Sequence, residues 1–206
     1  MTFNISKSIV ITFITFLLFS LEIQAQDKSE ISYSWKSSLN WKGGSFTVPP
    51  WFAEDLNLHG KEVLHFHPDY YNYGTEGFWT YNFALIVNET KTPTTQEVIK
   101  ETRLYFVGLG RTLGDKKNPK LPLSEITVKS TSNWITKGNT RYQDYLLHGF
   151  DSWETGKAIN LNVRVTTWLC PDSKHRVFIY SVSPKSMSDK IWLELKEDAD
   201  GFRCLR

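Results

Sequence analysis

The segment WFAEDLNLHGKEVLHFHPDYYNYGTEGFWTYNFALIV, residues 51–87, contains the clearest strand pattern of the chain. Between Gly60 and Pro68 the side chains alternate with a period of two, which is typical of a strand whose faces have different surroundings. A second such run covers residues 78–87, and one of its two faces is wholly apolar or aromatic. Residues 69–77 between the runs favour turns. We therefore predict an antiparallel hairpin whose second strand lies in the core.

Turn residues separate further strand patterns on both sides of this hairpin. The predicted strands cover residues 31–35, 41–48, 125–129, 141–150, 158–169 and 176–183. Pro49 and Pro50 end the second strand, because proline cannot donate to a sheet ladder. We expect the first two strands to form an edge. Apolar and polar residues alternate along residues 158–169, as expected of an antiparallel sheet that is covered on one face.

A long helix is predicted after the hairpin. Thr94 and Glu97 have the spacing of a capping box, in which each side chain binds a backbone N–H of the other residue. The helix covers residues 95–109 and has one apolar stripe that packs on the sheet. Gly108 and Gly110 mark its end.

A short helix is predicted near the C-terminus. It covers residues 189–197 and is capped by Ser186 or Ser188. Together, the elements predict one α+β domain, residues 26–206, with an antiparallel β-sheet that carries the long helix and the short C-terminal helix on one face.

The N-terminus has the pattern of a signal peptide. Lys7 precedes an apolar run, residues 9–21, that is too short to span a bilayer comfortably. Cleavage between Ala25 and Gln26 would remove residues 1–25 and leave no transmembrane anchor. An uncleaved anchor is the alternative. The pattern predicts an exported protein, either periplasmic or secreted.

Charge and cysteine content narrow the class of protein further. The chain has 24 basic and 22 acidic residues, a net charge of +2, with both signs scattered along it. This balance argues against nucleic acid as a partner. In an oxidising compartment the two cysteines, Cys170 and Cys204, are predicted to form a disulfide.

His65 and His67 form the one motif that suggests a metal. Two apart on a strand, they would project from the same face, and Asp69, Glu76 or His148 could supply a third ligand to a divalent ion. The corresponding function is a metal-dependent, hydrolase-like enzyme. A polar strand face without metal is the alternative, since no HExxH or similar motif accompanies the pair.

Aromatic residues concentrate around the hairpin loop. Such rings stack on sugars and fill small-molecule pockets. The candidate ligand-binding residues are Tyr70, Tyr71, Tyr73, Trp79, Tyr81 and Trp51. They favour non-catalytic binding of a small molecule, a glycan or a protein partner. The sequence has no Gly-x-Ser-x-Gly elbow and no glycine-rich phosphate loop, and a purely structural role in the cell envelope is also compatible with it.

The pieces WFAEDLNLHGKE and EGFWTYNFALIV resemble an uncharacterised family of exported bacterial, Bacteroidetes-like proteins. The shared pattern is WFA..L...G.E followed by W[ST]Y.F. The family has no known activity, so the resemblance implies no site. It also implies no histidine chemistry, because the family pattern has an arginine and a small residue where this chain has His65 and His67.

Overall fold

The predicted hairpin lies inside an eight-stranded antiparallel sheet. The structure is a computed structural model that describes residues 32–117, 122–151, 154–171 and 174–205. The predicted signal peptide, residues 1–25, lies outside the described residues. The described residues belong to a single domain of antiparallel strands and two helices, which confirms the predicted fold class.

Ten strands and two helices make up the described domain. The strands are β1 Tyr33–Trp35, β2 Lys42–Val48, β3 Gly60–Phe66, β4 Tyr81–Val87, β5 Thr127–Ser130, β6 Ile135–Lys137, β7 Thr140–Phe150, β8 Ala158–Leu169, β9 Arg176–Ser183 and β10 Phe202–Cys204. The helices are α1 Thr95–Lys117 and α2 Ile191–Asp200, with a short 3-10 helix at Leu123–Glu125. The main sheet has the order β2-β3-β4-β9-β8-β7-β5, with β6 also paired to β7, and β1 pairs with β10 in a separate two-stranded sheet. None of the helices among the described residues is long and apolar enough to cross a membrane.

Most strand predictions are confirmed, and the exceptions have local causes. β8 and β9 have the predicted bounds, and β2 is an edge strand as predicted. β4 begins at Tyr81 instead of residue 78, because Gly77 and Thr80 close a turn in which Trp79 has a φ of 52°. β6 and β10, of three residues each, were not predicted. β1 does not join the main sheet edge, because its partner is β10.

The two helices lie on opposite faces of the main sheet, which corrects the prediction that both pack on one face. On the first face, Tyr105 of α1 stacks on Phe83 of β4 with ring centroids 4.8 Å apart. On the second face, the Asn82 side chain of β4 donates to the Leu195 carbonyl of α2 at 2.9 Å. Every residue of β4 is buried, so its second face also needs a cover. Helix α2 and the β1–β10 pair provide it.

The start of α1 is as predicted, and that of α2 is not. Glu97 accepts a hydrogen bond from the Thr94 backbone at 2.8 Å, and its own N–H donates to Thr94 Oγ1 at 3.2 Å, which confirms the capping box. A hydrogen bond from Lys91, together with those from Thr94, lowers the pKa of Glu97 to about 2. No side chain caps α2, so the predicted serine cap is wrong.

Helix α1 continues through Gly108 and Gly110, which corrects the predicted end at residue 109. A Cβ atom on Gly108 would lie 2.1 Å from the Phe52 carbonyl oxygen. A Cβ atom on Gly110 would meet side-chain methyls alone, Leu123 Cδ2 at 2.9 Å and Ile126 Cδ1 at 3.6 Å. Gly108 therefore allows close approach of the 51–59 segment to the helix and does not terminate it.

We expect Gly108→Ala to destabilise the protein by about 1–3 kcal/mol in urea unfolding, because the new methyl collides with backbone. Helix propensity alone predicts the opposite sign, a gain of about 1 kcal/mol. Gly110→Ala is the matched control in the same helix. It should be close to neutral, because a flexible side-chain end can move away. A Gly108→Ala variant as stable as the parent would contradict this packing.

Candidate functional site

Three of the six predicted ligand-binding aromatics belong to the core. Tyr70, Trp79 and Tyr81 are 3%, 2% and 2% exposed. The Trp79 indole N–H donates to Asp151 Oδ1 at 2.9 Å. Burial opposes ionisation of Asp151, but the hydrogen bonds from Trp79 and Thr155 outweigh it and hold the pKa of that carboxyl below its usual value. Trp79 thus anchors the hairpin loop to the turn after β7.

The other three predicted aromatics lie at the surface. Trp51, Tyr71 and Tyr73 are 66%, 51% and 68% exposed. Tyr73 packs edge-on against Phe78, and Trp51 packs edge-on against Phe52. We call these three residues the exposed aromatic surface. The two cavities described below are lined by other residues.

His65 and His67 project from the same side of the chain, as predicted, and both face α2. His65 Nδ1 lies 2.9 Å from Asp198 Oδ1, and His67 Nε2 lies 3.7 Å from Glu194 Oε2. Two residues of strand rise about 6.7 Å and four residues of helix rise about 6.0 Å, so the two pairs match in spacing. The second oxygen of the fully buried Asp198 accepts from the Asn82 side chain at 2.9 Å. The histidines therefore help to hold α2 on the sheet.

The residues considered as third metal ligands are engaged elsewhere. Asp69 accepts a hydrogen bond from Asn72, Glu76 pairs with Lys185 at 3.3 Å, and His148 contacts Asn160 at 2.8 Å. Within the described ranges no three His, Cys, Asp or Glu side chains converge as a metal site would require. The described residues therefore do not bring a third ligand to His65 and His67.

The predicted disulfide is present. Cys170, which follows β8, is bonded to Cys204 of β10 with a Cα–Cα distance of 5.7 Å. The bond ties the small β1–β10 sheet to the main sheet. It is compatible with export to an oxidising compartment.

Glu62 is a buried acid that the sequence reasoning missed. It is fully buried on the first face and accepts a hydrogen bond from the Tyr105 hydroxyl at 2.6 Å. Burial raises the pKa of Glu62 to about 7, against the lowering effect of that hydrogen bond. Burial and the nearby Glu62 charge also raise the pKa of Tyr81. The signal was available, because Glu62 shares its strand face with Leu64 and Phe66.

A polar row crosses the second face of the sheet. Strand register places His65, Asn82, Ser181, Arg164 and Asp144 side by side on β3, β4, β9, β8 and β7. Helix α2 covers the first two positions through Asp198. The positions on β8 and β7 extend beyond the helix and leave part of the face open.

A groove of about 640 Å³ occupies this open part of the second face. Its floor is formed by the second-face side chains of β7, β8 and β9, and one wall by α2 and β10. Floor residues include Tyr142, Arg164, Thr166, Trp168, Ile179 and Ser181, and wall residues include Trp192, Lys196, Phe202 and Arg203. A smaller cavity of about 210 Å³ lies between α1 and β9. The 640 Å³ groove, which we call the second-face groove, is our candidate site.

The charged side chains of the second-face groove are held in place. Both Arg164 Nε and Nη2 donate to the Asp144 carboxylate, at 2.7 and 2.9 Å. These hydrogen bonds raise the pKa of Arg164 above its usual value. The Arg164 guanidinium and the Lys137 ammonium both lie over the Tyr142 ring, 5.0 and 5.7 Å from its centroid. A planar cation fixed by a bidentate pair is preorganised for contact with a ligand.

Sequence reasoning predicted the polar face of β8 but not the groove above it. The polar alternation correctly gave Arg164, Thr166 and Trp168 a common face. The opposite wall comes from residues 192–204, and no local pattern shows on which face of the sheet they lie.

Comparisons of the chain with family models, with curated proteins and with solved structures found no match. The assignment of a function therefore depends on the geometry of the second-face groove and of the exposed aromatic surface.

Proposed function

We propose that this chain is an exported, non-catalytic domain that binds a small molecule or a glycan in the second-face groove. The observation that carries the proposal is the groove volume of about 640 Å³. This volume lies within the range of about 300–1,000 Å³ that is usual for small-molecule sites. Its lining combines aromatic rings with a few fixed polar groups, which is also typical of such sites.

The chemistry of the lining supports binding over catalysis. The acid in the groove wall, Asp200, pairs with Lys196. The Arg164 guanidinium is fixed on Asp144, next to the Tyr142 ring. These contacts orient charge and ring surface, whereas a nucleophilic enzyme needs a hydroxyl or thiol beside a base.

Export to the periplasm or out of the cell is supported by two features. The apolar run after Lys7 has the length of a signal peptide core. The Cys170–Cys204 disulfide persists in an oxidising compartment. Both features suit a domain that meets its ligand outside the cytoplasm.

The exposed aromatic surface is the competing location, where a protein or glycan partner would contact Tyr71 and Tyr73. A ligand screen by thermal shift, followed by titration of each hit, separates the two surfaces. Thr166→Phe fills the second-face groove with a residue that strands accept. Tyr71→Ala/Tyr73→Ala removes the exposed rings.

We expect the hits to raise the melting temperature of the parent and to lose at least about tenfold in affinity in Thr166→Phe, about 1.4 kcal/mol. They should bind Tyr71→Ala/Tyr73→Ala as they bind the parent. The reverse pattern, with affinity lost only in the tyrosine variant, would move the site to the exposed aromatic surface. A screen without hits would count against the proposal.

A further inference from the structure

The charge distribution in the second-face groove identifies the class of its ligand, provided that the proposed function is correct. The groove is lined by Lys137, Arg164, Lys196 and Arg203 and by one acid, Asp200. The chain as a whole has 24 basic and 22 acidic residues. A balanced chain has thus gathered four cations around a single groove, against two acids, Asp200 in the lining and Asp144 beside Arg164.

Two of these cations have no carboxylate partner among the residues that the structure describes. Arg203 donates to the backbone carbonyls of Asp200 and Phe202. Lys137 lies over the Tyr142 ring, 5.7 Å from its centroid. Neither forms an ion pair with an acid of the described residues, whereas Lys196 pairs with Asp200. Arg203 and Lys137 are therefore available to a ligand's negative charge.

A ligand that fills the groove removes water from these cations. Loss of hydration costs free energy unless the ligand supplies a partner of opposite charge. A neutral ligand would leave Arg203 and Lys137 partly dehydrated and without a partner of opposite charge. A carboxylate or a sulfate would accept their hydrogen bonds, and arginine binds such groups through two parallel N–H donors.

The aromatic residues in the groove lining favour a ligand that has a ring in addition to its negative charge. Trp168 and Phe202 meet edge to face, with centroids 5.9 Å apart, and both line the groove. The Tyr142 ring already carries Arg164 and Lys137 on its faces. Trp168 is therefore the ring on which a sugar or an aromatic ring of the ligand would pack.

We propose that the second-face groove binds an organic anion in which a sugar or aromatic ring carries a carboxylate or sulfate. The ring packs on Trp168. The acidic group pairs with Arg203 and Lys137.

Four probes test this chemistry by calorimetric titration of the full chain. Trigalacturonate and its neutral counterpart maltotriose represent saccharides. Indoleacetate and its neutral counterpart tryptophol represent aromatic compounds. We expect one anionic probe to bind at least about tenfold more tightly than its neutral counterpart. The affinity should fall as NaCl rises from about 0.05 to about 0.5 M, because exposed ion pairs are screened. If the two saccharides differ in affinity, the ring of the ligand is a sugar; if the two aromatic compounds differ, it is an aromatic ring.

Matched charge variants locate the effect. Lys137→Gln/Arg203→Gln should reduce the affinity of the anionic probe about tenfold. Lys42→Gln/Lys100→Gln removes the same number of charges away from the groove and should leave the affinity unchanged. An equal loss in both variants would overturn the inference, because it would show a general charge effect.

Equal binding of the neutral and anionic probes would also overturn the inference. If Thr166→Phe then still abolished binding, the proposed function would stand and only the charge of the ligand would be wrong. No binding of any of the four probes overturns the inference as well, and the general ligand screen then decides the proposed function independently.

Discussion

Replacing Glu62 by glutamine should make the protein more stable than the parent above pH 7 and change little below pH 4.5. The pKa of Glu62 rises from 4.5 to about 7 because the carboxyl is buried on the first face. Between these values the folded state holds a proton that the unfolded state has lost, so the parent loses stability as pH rises. A shift of this size corresponds to about 3 kcal/mol. Glutamine is neutral and retains an oxygen that can accept from Tyr105.

Urea unfolding at several pH values measures this effect. The stability difference between Glu62→Gln and the parent should grow from about pH 4.5 and level off above about pH 7. Glu54→Gln is the control, because Glu54 is exposed, and it should keep the pH profile of the parent. If the free energies of unfolding of Glu62→Gln and the parent differed by the same amount at every pH in this range, burial would not raise the pKa of Glu62.

Removing the disulfide should have the largest effect on stability. The bond joins residues 34 apart in sequence, and the chain-entropy model gives about 4 kcal/mol for a closed loop of that size. Cys170→Ala/Cys204→Ala should lose about that much in urea unfolding. Alanine is chosen because Cys170 is buried and a serine hydroxyl there would add a separate cost.

Unfolding in the presence of a reductant separates the loss of the disulfide from other effects of the two substitutions on stability. Dithiothreitol should lower the unfolding midpoint of the parent toward that of the alanine variant and leave the variant unchanged. Because β10 forms part of the groove wall, the variant should also bind groove ligands more weakly. A parent whose midpoint does not respond to full reduction would contradict a stabilising role of the bond.

Local patterns predicted the elements of this fold well. Turn residues gave β8 and β9 their bounds, alternation gave β8 its two faces, and the capping box gave the start of α1. These features depend on residues a few positions apart. The end of α1 could not be predicted in this way, because Gly108 is required by the Phe52 carbonyl, which is distant in sequence.

The candidate site was much less predictable than the elements. Strand periodicity predicted a common face for His65 and His67 but could not show that Asp198 and Glu194 lie opposite them. It also could not separate buried Trp79 from exposed Tyr73, since both are aromatic residues of one loop region. The second-face groove joins β7 and β8 to α2 and β10, so it depends on which face of the sheet α2 covers.

The indole N–H signals in the NMR spectrum of the labelled protein test the central claim, that ligands bind in the second-face groove, most directly. Trp168 and Trp192 line the groove, while Trp51 reports on the exposed aromatic surface. On titration with the tightest probe, we predict that the signals of Trp168 and Trp192 shift and that of Trp51 stays in place. Unchanged signals of Trp168 and Trp192 on binding would contradict the claim, whether or not the signal of Trp51 shifts.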